Sequence, residues 1–144
     1  MGAGAVLVTA ACVQTQRSAA EAQAAIALER YVQLMIRQDA VALSAMFLPA
    51  GTIAHEGQAA IVGPEAIRKF LDSFANYKVL DHAMVITSAA VEGAGLRQDG
   101  TYRQRVRTPD GQTIEVNGRF TAKWVRQTDG RWLIESMLTA PPKA

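Results

Sequence analysis

Apolar and polar positions follow two different periods along this chain, and the change falls near residue 77. Between residues 19 and 38, apolar side chains recur at Leu28, Tyr31, Val32 and Met35. Steps of three and four predict one buried stripe on a helix. Asp39 is placed to cap a second, shorter helix over 40–47, because a carboxylate at that position accepts from the first free backbone N–H groups. Pro49 and Gly51 close the helical run. "TIAHE", beginning at Thr52, then reads as a strand, and "AAIVG", beginning at Ala59, as its hairpin partner or an extended return. Gly63 and Pro64 open a third helix with Ile67, Phe70, Leu71 and Phe74 on one face, proline being suited to a first helical turn.

From Tyr77 onward the pattern is that of long strands. Three Asp-Gly pairs, at Asp99, Asp110 and Asp129, predict tight turns, since glycine accepts positive φ without strain. They divide this half into four expected strands, at 79–96, 101–108, 112–127 and 131–139. Tight turns make consecutive strands antiparallel neighbours. Helices first and a long meander after is an α+β layout rather than an alternating one. Strands of this length must twist and curl, and the N-terminal helices are the available filling.

Composition narrows the function without naming it. The chain has 144 residues, 49% hydrophobic and 19% charged, which suits one globular domain. Fifteen basic and 13 acidic residues leave a net charge of +2, too balanced to imply a nucleic-acid partner. Arg103, Arg105 and Arg107 alternate with Tyr102, Gln104 and Val106, which predicts a solvated outer arginine stripe. Trp124 and Trp132 flank the last turn and are expected to pack together or against a helix; His82, alternating with Met84 and Ile86, reads as structural. No phosphate loop, nucleophile elbow or metal-ligand spacing occurs, so neither cofactor nor metal is expected.

The first residues differ from the rest. "MGAGAVLVTAAC" is small, apolar and free of charged side chains. It is similar to the apolar part of a secretory signal, and "TAAC" is similar to a loose bacterial lipobox with Cys12 as the lipidated residue. The pattern departs in having Thr9 where leucine is usual and no basic residue ahead of the apolar run. The expectation is an export or lipoprotein-like segment with its tether over 1–19, a domain over 20–140 and a tail over 141–144. Location is then the bacterial cell envelope, with the cytoplasm as the alternative, and membrane contact comes only through a lipid at Cys12.

The order of elements resembles the NTF2-like superfamily, a cone in which a curved sheet wraps three helices around a pocket. "RYVQLMIRQDAVALSAMF" followed by "GTIAHEG" resembles the first two helices and first strand of ketosteroid isomerase and SnoaL-like proteins. "GPEAIRKFL" is similar to their third helix, and "GRFTAKWVRQTDGRWLIESM" to the last hairpin of SnoaL-like and DUF4440-type members. The resemblance covers about residues 20–140 and implies a pocket for a small apolar ligand and a homodimer. One fold hosts many activities, so it does not imply a particular reaction.

By that resemblance Tyr31 falls at an oxyanion-hole tyrosine and His55 at the position of an aspartate base. Tyr31 is either a hydrogen-bond donor into a pocket or a core tyrosine bonded to nearby backbone. His55 is either a proton shuttle or a polar residue idle at a strand end. The protonated aspartic acid of ketosteroid isomerase would fall near Thr121 or Ala122, which disfavours an ordinary steroid isomerase. Arg119 occupies a position where many relatives carry arginine; it would bind a ligand carboxylate or pair with Glu135. The candidate catalytic set is therefore Tyr31, His55 and Arg119, and the ligand set adds Phe70, Phe74, Glu135 and Met137. Two functions are expected: a cofactor-free acid–base isomerase or dehydratase acting on a small apolar carbonyl or carboxylate compound, or a non-catalytic binding or assembly module tethered at the envelope.

Overall fold

A computed structural model describes residues 3–143, with side chains from Ala19 to Lys143. The chain runs α1 (Ala3–Arg37), α2 (Ala40–Ser44), β1 (Phe47–His55), β2 (Ile61–Val62), α3 (Pro64–Asp72), β3 (Lys78–Glu92), β4 (Gly95–Arg107), β5 (Thr113–Arg126) and β6 (Trp132–Ala140). The six strands form one mixed sheet in the order β2-β1-β6-β5-β4-β3. Only β1 and β6 run parallel; the other neighbours are antiparallel. Three helices against a curved sheet ending in a four-strand meander is the α+β cone that the sequence predicts.

The stripe on α1 is buried as expected, through Ala24, Leu28, Tyr31, Val32 and Leu34. It joins Phe120, Ala122 and Trp124 of β5 and Ile134 and Met137 of β6 in a single core. Each fully buried side chain of this size contributes about 1.5–3 kcal/mol, so the stripe is what fastens α1 across the sheet. The helix begins at Ala3 rather than near residue 19. The alanine-rich run that reads as a tether has high helical propensity and no proline to interrupt it. The side chain of Cys12, the lipidation candidate, lies outside the described residues.

α1 ends through Gln38, whose φ of 55° is left-handed. Asp39 then caps α2, its Oδ1 accepting from the backbone N–H of Ala42 at 3.0 Å. Gly63, with φ of 89°, precedes Pro64 at the start of α3.

One turn is elsewhere than the sequence predicts. Asp110-Gly111 and Asp129-Gly130 do form turns, with glycine φ of 89° and 90°. Asp99-Gly100 instead lies inside β4, and the β3–β4 turn is made at Gly93. Gly100 serves close approach: a Cβ there would stand 1.9 Å from the Val85 carbonyl oxygen. Asp99 is held on the strand by Arg97, whose Nε and Nη2 donate to it at 2.9 and 3.1 Å.

Candidate functional site

Two chambers open between the helices and the inner face of the sheet. The inner one, about 230 Å³, takes Tyr31 from α1 and His55 from the end of β1. The outer one, about 330 Å³, is lined mainly by apolar side chains, among them Leu43, Phe74, Val79 and Val106. Met35, Ile53, Phe70, Gln104 and Val116 are walls of both, so the chambers adjoin.

Polar groups converge on the inner chamber from every side. Tyr31 is 4% exposed, and burial pushes its phenol pKa far above the ordinary range. It therefore stays protonated at any working pH and can only donate or accept a hydrogen bond as a neutral group.

Below it the sheet carries a relay across four strands. His55 pairs in register with Thr139 of β6, and its Nδ1 stands 2.9 Å from the Thr139 Oγ1. The Tyr102 phenol of β4 faces the same threonine, whose polarity partly offsets the upward push of burial on its pKa. Tyr102 reaches β6 because the β5 residue between them is Gly118: its ring lies 3.0 Å from where a Cβ would stand. The single Thr139 proton decides what His55 can do. If it points to Nδ1, the His55 proton is on Nε2 and the imidazole is an acid. If Nδ1–H donates to Thr139, Nε2 is a base. In the second form Nε2 takes a proton from a ligand to make the imidazolium, with Nδ1–H still on Thr139, and the same Nε2 then returns it.

His82 of β3 completes the floor. Its ring is stacked on Tyr102, with centroids 6.5 Å apart and planes at 28°. Its Nδ1 stands 2.7 Å from the Gln104 Oε1. A carbonyl oxygen only accepts, so Nδ1 carries the proton and Nε2 has the lone pair. That Nε2 is buried without a partner among the described residues. Burial lowers the His82 pKa, against smaller upward contributions from Gln104 and Asp81.

A larger groove, about 800 Å³, runs along the outer face of the sheet. Its one carboxylate among the described residues is already engaged. Arg97 pairs with Asp99 at 2.9 Å and holds that carboxyl below its usual range, and Thr121 donates to the same group at 2.7 Å. An apolar cavity with a few convergent polar groups is the better ligand site than a groove whose carboxylate is already paired. Among the described residues no cluster of three His, Cys, Asp or Glu is placed to hold a metal ion, and no helix is long and apolar enough to cross a membrane.

The profile of the SnoaL-like domain matches residues 16–137. The chain belongs to this family. A search of curated proteins finds no match. Among solved structures, a Catenulispora acidiphila protein in complex with S-DNPA superposes with a TM-score of 0.75 at 19% identity, over 86% of this chain and 94% of that one. A ketosteroid isomerase-like protein from Erwinia carotovora atroseptica gives 0.74 at 17%, over 85% and 96%. An NTF2-like protein with a cystatin-like fold from Novosphingobium aromaticivorans gives 0.70 at 21%, over 92% and 87%. These likenesses establish the NTF2-like cone.

Within this SnoaL-like domain the sequence candidates separate into two groups. Tyr31, His55, Phe70 and Met137 line the inner chamber, and Phe74 with Phe70 lines the outer one. Arg119 and Glu135 do not belong to either. On β5 the residues Gly118, Phe120, Ala122 and Trp124 are buried, so Arg119, between two of them, points to the outer face. There its Nε donates to the Pro141 carbonyl at 2.9 Å and its Nη2 stands 3.8 Å from Glu56. Glu135 is exposed at a bulge in β6, where Lys123 and Trp124 pair with Ser136 and Ile134 around it. Arg119 is opposite Ala140, five residues further on, or about 17 Å along an extended strand. The expected Arg119–Glu135 pair therefore does not form, because register separates the two. Leu138 is also on the exposed side, at 40%.

Three site residues escape the sequence reading: His82, Tyr102 and Thr139. The signal for Tyr102 was present. It alternates inward with Gln104 and Val106, away from Arg103, Arg105 and Arg107, which are all exposed. His82 reads as structural because nothing local shows that its strand borders a chamber. Of the two arrangements expected for the tryptophans, Trp132 takes the one against a helix, donating to Gln23 of α1 at 2.9 Å, while Trp124 donates to Gln98 at 2.7 Å.

Proposed function

We propose that the inner chamber binds a small, largely apolar organic compound by a carbonyl or carboxylate oxygen and moves a proton on it, as a cofactor-free isomerase or dehydratase would. Tyr31, held protonated by burial, donates to the ligand oxygen and stabilises the charge that develops there. His55 takes and returns the proton, its ring oriented by Thr139. Arg119, on the outer face, has no part. The observation that carries this reading is that one chamber receives both Tyr31 and His55 from elements far apart in the chain. A protein of the same fold is in complex with S-DNPA, which supports small-molecule binding.

The test begins with a thermal-shift screen of carboxylates, steroids and polyketide-like ketones. Compounds that bind are then followed by NMR for deuterium uptake from D₂O beside the carbonyl. His55→Ala is expected to abolish uptake while leaving binding in place; undiminished uptake in that variant refutes the mechanism. Binding with no uptake in the unaltered protein makes it a binding module instead. The apolar run ending at Cys12 supports placement at the cell envelope through a lipid. Mass spectrometry of protein from its native host, showing an acylated or an unmodified Cys12, decides that.

A further inference from the structure

The geometry points to the apolar chamber as the second half of one elongated ligand site, with Gln38 as the residue that positions its rim. This rests on the proposed function, because the polar end of the ligand is the group that Tyr31 and His55 engage. The argument begins with size. Ligand pockets usually hold about 300–1,000 Å³, and the polar chamber, at about 230 Å³, falls short by itself. With the adjoining 330 Å³ it lies well inside that range. Five shared walls set the two chambers side by side, one polar at the sheet floor and the other apolar toward α3. A compound that fills both has an oxygen at one end and a ring-bearing apolar body at the other.

The rim of the apolar chamber is aromatic and is held in an unusual way. Phe70 and Phe74 meet edge to face at 5.2 Å, and Phe74 meets Tyr77 at 5.6 Å. Phe70 and Phe74 are 38% and 43% exposed, so packing within the protein alone does not fix them. Gln38, at the end of α1, fixes the backbone segment that follows them. Its Nε2 donates to the Tyr77 carbonyl at 2.7 Å, and its Oε1 accepts from the Val79 N–H at 3.0 Å. These two bonds tie the segment after α3 to a helix 39 and 41 residues earlier in the chain. Gln38 does so from the one left-handed non-glycine position among the described residues, a conformation that glycine would adopt more easily. A glutamine in that conformation, with both amide ends bonded to the backbone that carries the rim and its side chain on the chamber wall, is a latch.

The experiment uses phenol and 4-phenylphenol as probes, with dissociation constants measured by NMR titration of the full chain. Phenol occupies only the polar end; the second ring of 4-phenylphenol extends into the apolar chamber. The unaltered protein is expected to prefer 4-phenylphenol by about tenfold or more, the gain of a buried ring. Phe74→Ala is expected to reduce that preference about fivefold. Gln38→Gly is the decisive variant, because glycine suits the backbone and only the latch is lost. Its preference is expected to fall about three- to tenfold while its melting temperature holds or rises. A merely structural glutamine would change the melting temperature and leave the preference alone, which overturns its positioning role. Binding of phenol with no gain for 4-phenylphenol overturns the two-chamber site by itself. Binding of neither probe overturns this proposal, while the functional reading beneath it stands or falls by the carbonyl and carboxylate screen.

Discussion

At the scale of single residues, the site depends on one missing side chain. Gly118 lets the Tyr102 ring cross β5, and a methyl group there would also stand 2.2 Å from the Ala140 carbonyl oxygen. Gly118→Ala is therefore expected to destabilise the fold by roughly 1–3 kcal/mol, as overpacking does, and to separate Tyr102 from Thr139. Urea unfolding measures the first effect, and loss of deuterium uptake with binding retained measures the second. His82 gives a prediction with a definite sign. Its folded pKa is lowered from 6.5, chiefly by burial, so between the folded and unfolded values the unfolded chain binds more protons. The stability due to neutral His82 is complete above about pH 6.5 and is lost as pH falls toward the folded pKa. Urea midpoints at pH 7.5 and 5.5 are expected to show a smaller drop for His82→Gln than for the unaltered protein; equal drops would dismiss His82 as the source.

At the scale of elements, the β4–β5 pair is held by more than its backbone ladder. Trp124 and Gln98 are 1% and 0% exposed, and the indole N–H donates to the Gln98 Oε1. Trp124→Phe keeps the ring but strands that oxygen in the core, at an expected cost of about 1–3 kcal/mol. Adding Gln98→Leu replaces the orphaned amide by an apolar group of similar size, and most of the loss should return. Chemical denaturation of both variants checks this; if the double variant is worse than the single one, the amide has another buried role. The Asp39 cap belongs to the same scale. It starts α2 directly after the Gln38 bend, so helix ending, helix starting and rim latching occupy two consecutive residues.

At the scale of the whole molecule, the cone is closed enough to exclude water from Tyr31 and open enough to leave two adjoining chambers. Such a cavity leaves its lining without partner atoms and so costs stability that a filled core would keep. Val116 is a wall of both chambers and is 40% exposed. Val116→Phe should fill the junction, leaving stability within about 1 kcal/mol of the original while weakening 4-phenylphenol at least tenfold. Calorimetric titration and thermal unfolding of that variant report the two effects separately.

The local chemistry of the chain was sufficient for the elements and their order. The three-and-four spacing of Leu28, Tyr31 and Val32 marks α1, Pro64 opens α3, and glycine at 111 and 130 closes two hairpins. Tyr31 and His55 came from the family resemblance, and periodicity added only that Tyr31 lies on the buried stripe of its helix. Three things were decided only in the tertiary structure. Arg119 turned outward because strand parity and the β6 bulge are set by neighbouring strands and not by the arginine's own segment. Asp99-Gly100 became strand because the Val85 carbonyl packs where a side chain would be. His82, Tyr102 and Thr139 joined His55 across strands widely separated in sequence. Periodicity reports what each residue does relative to its own backbone axis, whereas a pocket is made of distances between axes, and only the packed sheet sets those.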